Sequence, residues 1–130
     1  MPRSPQAEVS GRRSVFGRWW WGLAAAAAAL VIAWGSLMPA SELPEDLPWD
    51  KANHLIAYAG LATLLALASG RSGLSMALAV AYGVAIEFAQ IPVPGRLGGD
   101  VWDIVANTLG AGLGVGAVWL WHRGRQRARR

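Results

Sequence analysis

The sequence predicts an all-α integral membrane protein, a four-helix bundle with both termini on the cytoplasmic side. Three observations predict it. Four apolar runs of helix length, about 19–38, 51–69, 74–91 and 101–121, alternate with short polar segments. The basic residues crowd the two tails and the middle turn, while the acids crowd the other loops. The acidic, basic, histidine and amide residues inside the runs all fall toward one end of the predicted bundle.

Composition sets the frame. Apolar residues make up 54% of the 130-residue chain and charged residues 15%, with eight Trp against two Phe and two Tyr. A pI near 10.7 suits nucleic acid in principle. Here the bases lie in short tails flanking apolar runs, so membrane topology explains them better, and no nucleic-acid partner is expected. There is no Cys, which excludes disulfide scaffolds and thiolate metal sites.

Residues 1–17 are polar and basic and read as a disordered cytoplasmic tail, ahead of a domain spanning 18–122. The first run carries no charge and contains Ala24–Ala29; its apolar stretch from Trp19 to Leu37 reaches about 28 Å, near the thickness of a hydrocarbon core. Trp19, Trp20 and Trp21 at one end and Trp34 near the other suit the interfaces. A cleaved signal peptide is the alternative, but the run exceeds the usual 7–15-residue core and no convincing Ala-x-Ala site follows. Pro39 ends the helix. Residues 39–50 hold three prolines and four acids and no base, which marks an outer loop.

The second run starts at Lys51 and ends near Ser69, and Gly70-Arg71-Ser72-Gly73 forms a tight turn that makes runs two and three antiparallel neighbours. The third run is apolar except for Glu87 and Gln90 near its end. A Pro/Gly-rich outer loop, IPVPGRLGGD, leads to the fourth run, with Asp103 and Asn107 at its start and Trp119 and Trp121 at its end. Residues 123–130 form a second basic tail. A soluble helical protein remains an alternative, since mean hydropathy is only +0.30. Clustered rather than scattered polar positions argue against it.

With this topology, Asp50, Lys51, His54 and Tyr58, then Glu87 and Gln90, then Asp103 and Asn107 occupy the same outer level, with Arg96 in the loop above. Asp50, His54 and Tyr58 share a helix face at i, i+4, i+8, as do Asp103 and Asn107 at i, i+4. Ionisable groups within spans cost on the order of 2.5–3.5 kcal/mol each unless paired, hydrated or used. His54 suits a hydrogen-bonded core histidine or a general base, and Glu87 and Asp103 suit an acid/base pair or counter-ions to Lys51 and Arg96. These three are the catalytic candidates, but no nucleophile with a recognisable motif accompanies them, and an enzyme is not the favoured reading. His54, Glu87 and Asp103 also offer one nitrogen and two oxygens to a metal; with no second core histidine, no metal or other cofactor is expected. Arg96, with Lys51 beside it, suits a grip on phosphate or carboxylate. The inner half lacks the polar residues that an ion path needs. Gly110 and Gly114 allow close helix packing, within the bundle or across a homodimer.

The pattern Asp50-Lys51-x-x-His54-x-x-x-Tyr58, Glu87-x-x-Gln90, Pro94-Gly95-Arg96, Asp103-x-x-x-Asn107-x-x-Gly110-x-x-x-Gly114 resembles the VanZ-like family over residues 50–114. The interval from Arg96 to Asp103 is about one residue longer than the commonest spacing, so Asp100 competes with Asp103 as the loop acid. The resemblance implies a multi-pass protein of the bacterial inner membrane, some of whose relatives are linked to teicoplanin resistance. The expected partners are membrane lipids, among them a lipid-linked cell-wall precursor, with Asp50, Lys51, His54, Tyr58, Glu87, Gln90, Arg96, Asp103 and Asn107 forming the pocket. The alternative is a membrane-embedded enzyme acting on a lipid headgroup with the same cluster.

Overall fold

The computed structural model describes residues 5–43 and 50–130, with side chains described from residue 17 onward. Four helices account for most of it: α1 (Pro5–Leu37), α2 (Asp50–Ser69), α3 (Ser72–Gln90) and α4 (Val101–Arg127), with a short 3-10 turn at Ala40–Glu42 after α1. There is no strand among the described residues. All four helices are long and apolar enough to cross a membrane, α1 through its segment Gly17–Leu37. The chain is a multi-pass, four-helix membrane protein.

Two boundaries differ from expectation. The backbone of α1 is helical from Pro5, within the stretch expected to be disordered. Proline suits a first helical turn, where its missing N–H has no partner to lose, and a long stable helix extends cheaply once nucleated. Residues 1–4 and the part of the acidic loop at 44–49 lie outside the described residues. At the other end α4 continues to Arg127, into the second tail. There the Arg123 guanidinium lies 4.2 Å from the Trp119 ring centre and Arg125 lies 4.6 Å from that of Trp121, two i, i+4 cation–π pairs that favour helix over coil.

The molecule is inverted relative to a water-soluble bundle. Leu30, Val31, Trp34, Ile56, Phe88, Leu113 and Leu120 are all exposed, whereas Ser75, Glu87, Gln90, Asp103 and Asn107 are buried. Water would penalise that arrangement at both places; a hydrocarbon surround rewards the outside, and helix packing shelters the inside. The fully buried apolar centre consists of small residues, Ala62, Ala79 and Ala111, with Leu65, Met76 and Val115 packed around them. Small side chains let backbones approach, which replaces the missing hydrophobic drive inside lipid.

The α2–α4 interface is the most extensive in the bundle. Gly110 and Gly114 make it. A Cβ on Gly110 would run into the Leu55 carbonyl oxygen, and one on Gly114 into that of Ala59. Gly110 and Gly114 thus face α2 of the same chain.

Side chains from neighbouring helices close the helix ends. Each helix leaves its last carbonyls without intrahelical donors, and in lipid each such group costs several kcal/mol. At the end of α2, Gly70 adopts φ 66 and its N–H bonds Ala66 O at 2.9 Å, while Arg18 donates to Ala68 O at 2.8 Å and to Ser69 O. At the end of α1, Gln90 donates to Ser36 O at 2.9 Å, and Arg96 donates to Met38 O at 3.0 Å and to Gly35 O. The start of the spanning segment of α1 (Gly17–Leu37) therefore lies beside the end of α2, and the ends of α1 and α3 lie together. Lys51 and Asp103 likewise join the starts of α2 and α4. Successive helices alternate in direction, and the start of the spanning segment of α1 and the C-terminal part of α4 share one end of the bundle.

Candidate functional site

The opposite end holds the polar cluster. Asp50, Lys51, His54 and Tyr58 come from α2, Glu87 and Gln90 from α3, Asp103 and Asn107 from α4, and Arg96 from the loop between α3 and α4. The shared level expected from the helical spacing is present, and the contacts inside it are more specific than the spacing shows.

Lys51 settles the rivalry between the two loop acids by holding both. Its ammonium bonds Asp100 Oδ2 at 2.8 Å and also bonds Asp103 Oδ1. Asp100 works twice, because its Oδ1 accepts the Trp102 N–H at 2.8 Å and caps α4. The Lys51 hydrogen bond, and after it the Trp102 N–H, hold the Asp100 carboxyl below its ordinary value of 3.8. A carboxyl lowered by folding stabilises the fold above its unfolded value, and that contribution disappears as pH falls through the lower folded value. Asp100→Asn is therefore expected to lose less melting temperature than the wild type between pH 6 and pH 3, measured by circular dichroism in detergent. An equal loss in both proteins would contradict the pairing.

His54 is buried and surrounded by acids. Its Nδ1 lies 2.9 Å from Asn107 Oδ1, its hydrogen-bond partner. Three carboxylates stand just beyond hydrogen-bonding distance: Asp103 Oδ2 at 3.7 Å and Asp50 Oδ1 at 3.8 Å from Nε2, and Glu87 Oε1 at 3.9 Å from Nδ1. Glu87 has no exposed surface, and neither of its side-chain oxygens has a hydrogen-bond partner; the Tyr58 hydroxyl and Asn107 Nδ2 are in the same condition. Gly83 makes room for this group, since a Cβ there would come within 3.0 Å of Asn107 Nδ2 and 3.1 Å of the Tyr58 ring.

Arg96 does not reach those acids. Two of its five N–H groups bond the α1 carbonyls already described. The cluster around His54 therefore contains Asp50, Glu87, Asp103 and the nearby Asp100 against the ammonium of Lys51, an excess of acid where two acids and two bases were expected to cancel.

Beside the cluster a cavity of about 570 Å³ opens between α1, α2 and the end of α3. Val31, Ile32, Met38, Leu43 and Ala57 line its apolar part, and Asp50, His54, Tyr58, Gln90 and Arg96 its polar part. Five of the nine site residues expected from the sequence thus face this space; Lys51, Glu87, Asp103 and Asn107 stand behind them. Sequence reasoning missed Asn53, which also lines the cavity, one residue before His54. It also missed Tyr82, whose hydroxyl donates to Ala29 O at 2.5 Å and ties α3 to α1. A polar side chain within an otherwise apolar run was the available signal for both.

The comparisons with known proteins agree with the pattern of residues. No curated protein and no solved structure matches the chain. The family model described as VanZ/LLP1 matches residues 10–122, which takes in all four crossings and every residue of the cluster. With most of its length matched, the chain belongs to the VanZ/LLP1 family.

Proposed function

We propose that the protein binds the headgroup of a charged envelope lipid, or of a lipid-linked cell-wall precursor, at the outer mouth of the bundle. The cavity carries this reading. Its lining is mainly apolar with a few polar side chains converging on it, a setting in which an amphiphile could lay its chain along α1 and its head against Arg96, Gln90 and His54. Arg96 has donors beyond the two that bond α1, and a planar guanidinium suits phosphate. Lys51, already held by Asp100 and Asp103, orients the acids rather than gripping the ligand. The tails would face the cytoplasm across the inner membrane, where nine arginines flanking the spans satisfy the positive-inside bias, and the mouth would face outward.

Gly35 offers a clean test. It lines the cavity, and a Cβ there would meet nothing within 4 Å, so a larger side chain can be added at the cavity's edge without pushing on the bundle. Gly35→Leu is expected to reduce retention of an anionic lipid by about tenfold in native mass spectrometry, with an unchanged melting temperature. Undiminished retention would overturn the reading. Arg96→Lys, which keeps the charge and loses the fork, is expected to fall between the two. Where the ligand is a cell-wall precursor, overproducing the wild type shifts glycopeptide susceptibility and overproducing Gly35→Leu does not.

A further inference from the structure

We propose that Asp50, His54 and Asp103 bind a divalent transition-metal ion, of the zinc or manganese class, beside the cavity. One ligand atom from each, His54 Nε2 and one carboxylate oxygen of each aspartate, lies within 4.8 Å of the other two. Asp50 and His54 stand at i, i+4 on α2, the spacing that points two ligands from one helix face. Asp103 faces them from the first turn of α4.

The surroundings prepare these atoms for a cation. The His54 Nδ1···Asn107 Oδ1 hydrogen bond holds the ring with Nε2 turned toward Asp50 and Asp103. Lys51 occupies only Oδ1 of Asp103, which leaves Oδ2 turned toward His54. One imidazole nitrogen and two carboxylate oxygens form a donor set that zinc and manganese accept. Bonds of about 2.0–2.2 Å put tetrahedral donors about 3.4 Å apart. The two separations from His54, 3.7 and 3.8 Å, therefore close on an ion with movements of a few tenths of an ångström, and the two aspartate oxygens, within 4.8 Å of each other, come together by movement of the aspartates. Asp50, the exposed member at the start of its helix, is free to make most of that adjustment.

A second observation points the same way. Glu87 is fully buried, neither carboxylate oxygen makes a hydrogen bond, and Oε1 lies 3.9 Å from Nδ1, the other nitrogen of the same imidazole. A buried carboxylate without a donor is expensive. A dication at His54 would supply the positive field that the single ammonium of Lys51 does not. Because Asp50 and His54 also line the cavity, the ion would present its remaining coordination positions there, where a phosphate or carboxylate could complete them.

The inference stands apart from headgroup binding, because the experiment contains no lipid. The full chain, purified in detergent and stripped with chelator, is titrated with cobalt as a spectroscopic probe and then with zinc. The expected result is one equivalent of cobalt with visible ligand-field bands, displaced by zinc. Asp50→Asn and His54→Gln are each expected to lower affinity by more than the 10–100-fold typical of losing an outer partner. His122→Ala, at the other end of the bundle, is expected to change nothing. Asp50 is 57% exposed at its side chain, so Asp50→Asn tests the site without disturbing the core, and an unchanged melting temperature verifies this. No stoichiometric uptake, or uptake unchanged in both variants, would overturn the proposal. Loss of headgroup retention in Gly35→Leu alongside unchanged cobalt uptake would leave both proposals standing.

Discussion

Gly110→Val is expected to yield no folded bundle in a detergent extract, and Gly110→Ala to yield one destabilised by about 1–3 kcal/mol. The reason is that the group in the way is backbone. A Cβ on Gly110 would overlap the Leu55 carbonyl oxygen and stand 3.0 Å from its carbon and 3.1 Å from Ala59 N. No rotamer change relieves that contact, so α2 and α4 must move apart along their whole shared seam. Separation also pulls His54, next to Leu55, from Asn107, three residues before Gly110, and so opens the polar cluster. Gly114 carries the same load one turn further on, with Ala59 O and, at 2.8 Å, Thr63 Oγ1 in the path of a Cβ. The other two glycines of the run supply the control. A Cβ on Gly112 would touch only the Met76 methyl at 3.9 Å, and one on Gly116 nothing within 4 Å. Thermal unfolding followed by circular dichroism is expected to rank Gly110→Ala and Gly114→Ala well below wild type, with Gly112→Ala and Gly116→Ala close to it. Four similar melting temperatures would mean that the α2–α4 seam is not as close as described.

Lys51→Met is expected to cost roughly 3 kcal/mol, the lower end of the range for breaking a buried ion pair. The lower end applies because Lys51 keeps 23% of its side-chain surface exposed, although Asp103 keeps only 6%. Removing the ammonium leaves the Asp103 carboxylate beside Glu87 and Asp50 with no counter-charge in reach. The double variant Lys51→Met/Asp103→Asn is expected to recover most of the loss, since it removes the orphaned charge along with its partner. Lys51→Met/Asp100→Asn should recover little, as Asp100 is 27% exposed and is solvated without help. A double-mutant cycle on melting free energies measures both. Equal recovery in the two double variants would show that Asp103 is not the acid that depends on Lys51.

Much of this arrangement was legible in the sequence because membrane constraints are severe. Apolar runs of spanning length, an arginine bias and two acidic or Pro/Gly-rich loops leave few ways to thread the chain. Helical spacing then placed Asp50, His54 and Tyr58 on one face and put Asp103 and Asn107 opposite them. Pairing was not legible, because it depends on which rotamers meet across helices. Arg96 reads as an anion grip from its loop, yet it closes the end of α1. The need for such a donor is general to every helix end, but nothing in the sequence says which residue meets it. The choice between packing and dimerisation for Gly110 and Gly114 was open for the same reason, since a small-residue face fits any helix that approaches it. Asp100 against Asp103 was a choice the sequence could only pose. A lysine side chain long enough to reach both removes it.

The proposed binding of an envelope lipid requires that all these groups form one mouth on the outer side of the four-crossing bundle. The absence of native Cys allows a direct measurement, because Leu97→Cys, Arg71→Cys and Arg129→Cys each provide a single thiol. Leu97 is 85% exposed in the loop that carries Arg96, Arg71 sits in the turn between α2 and α3, and Arg129 follows α4. In intact cells an impermeant maleimide is predicted to label position 97 alone and to reach 71 and 129 only after the membrane is opened. Labelling of 71 or 129 in intact cells, with 97 protected, would contradict the claim.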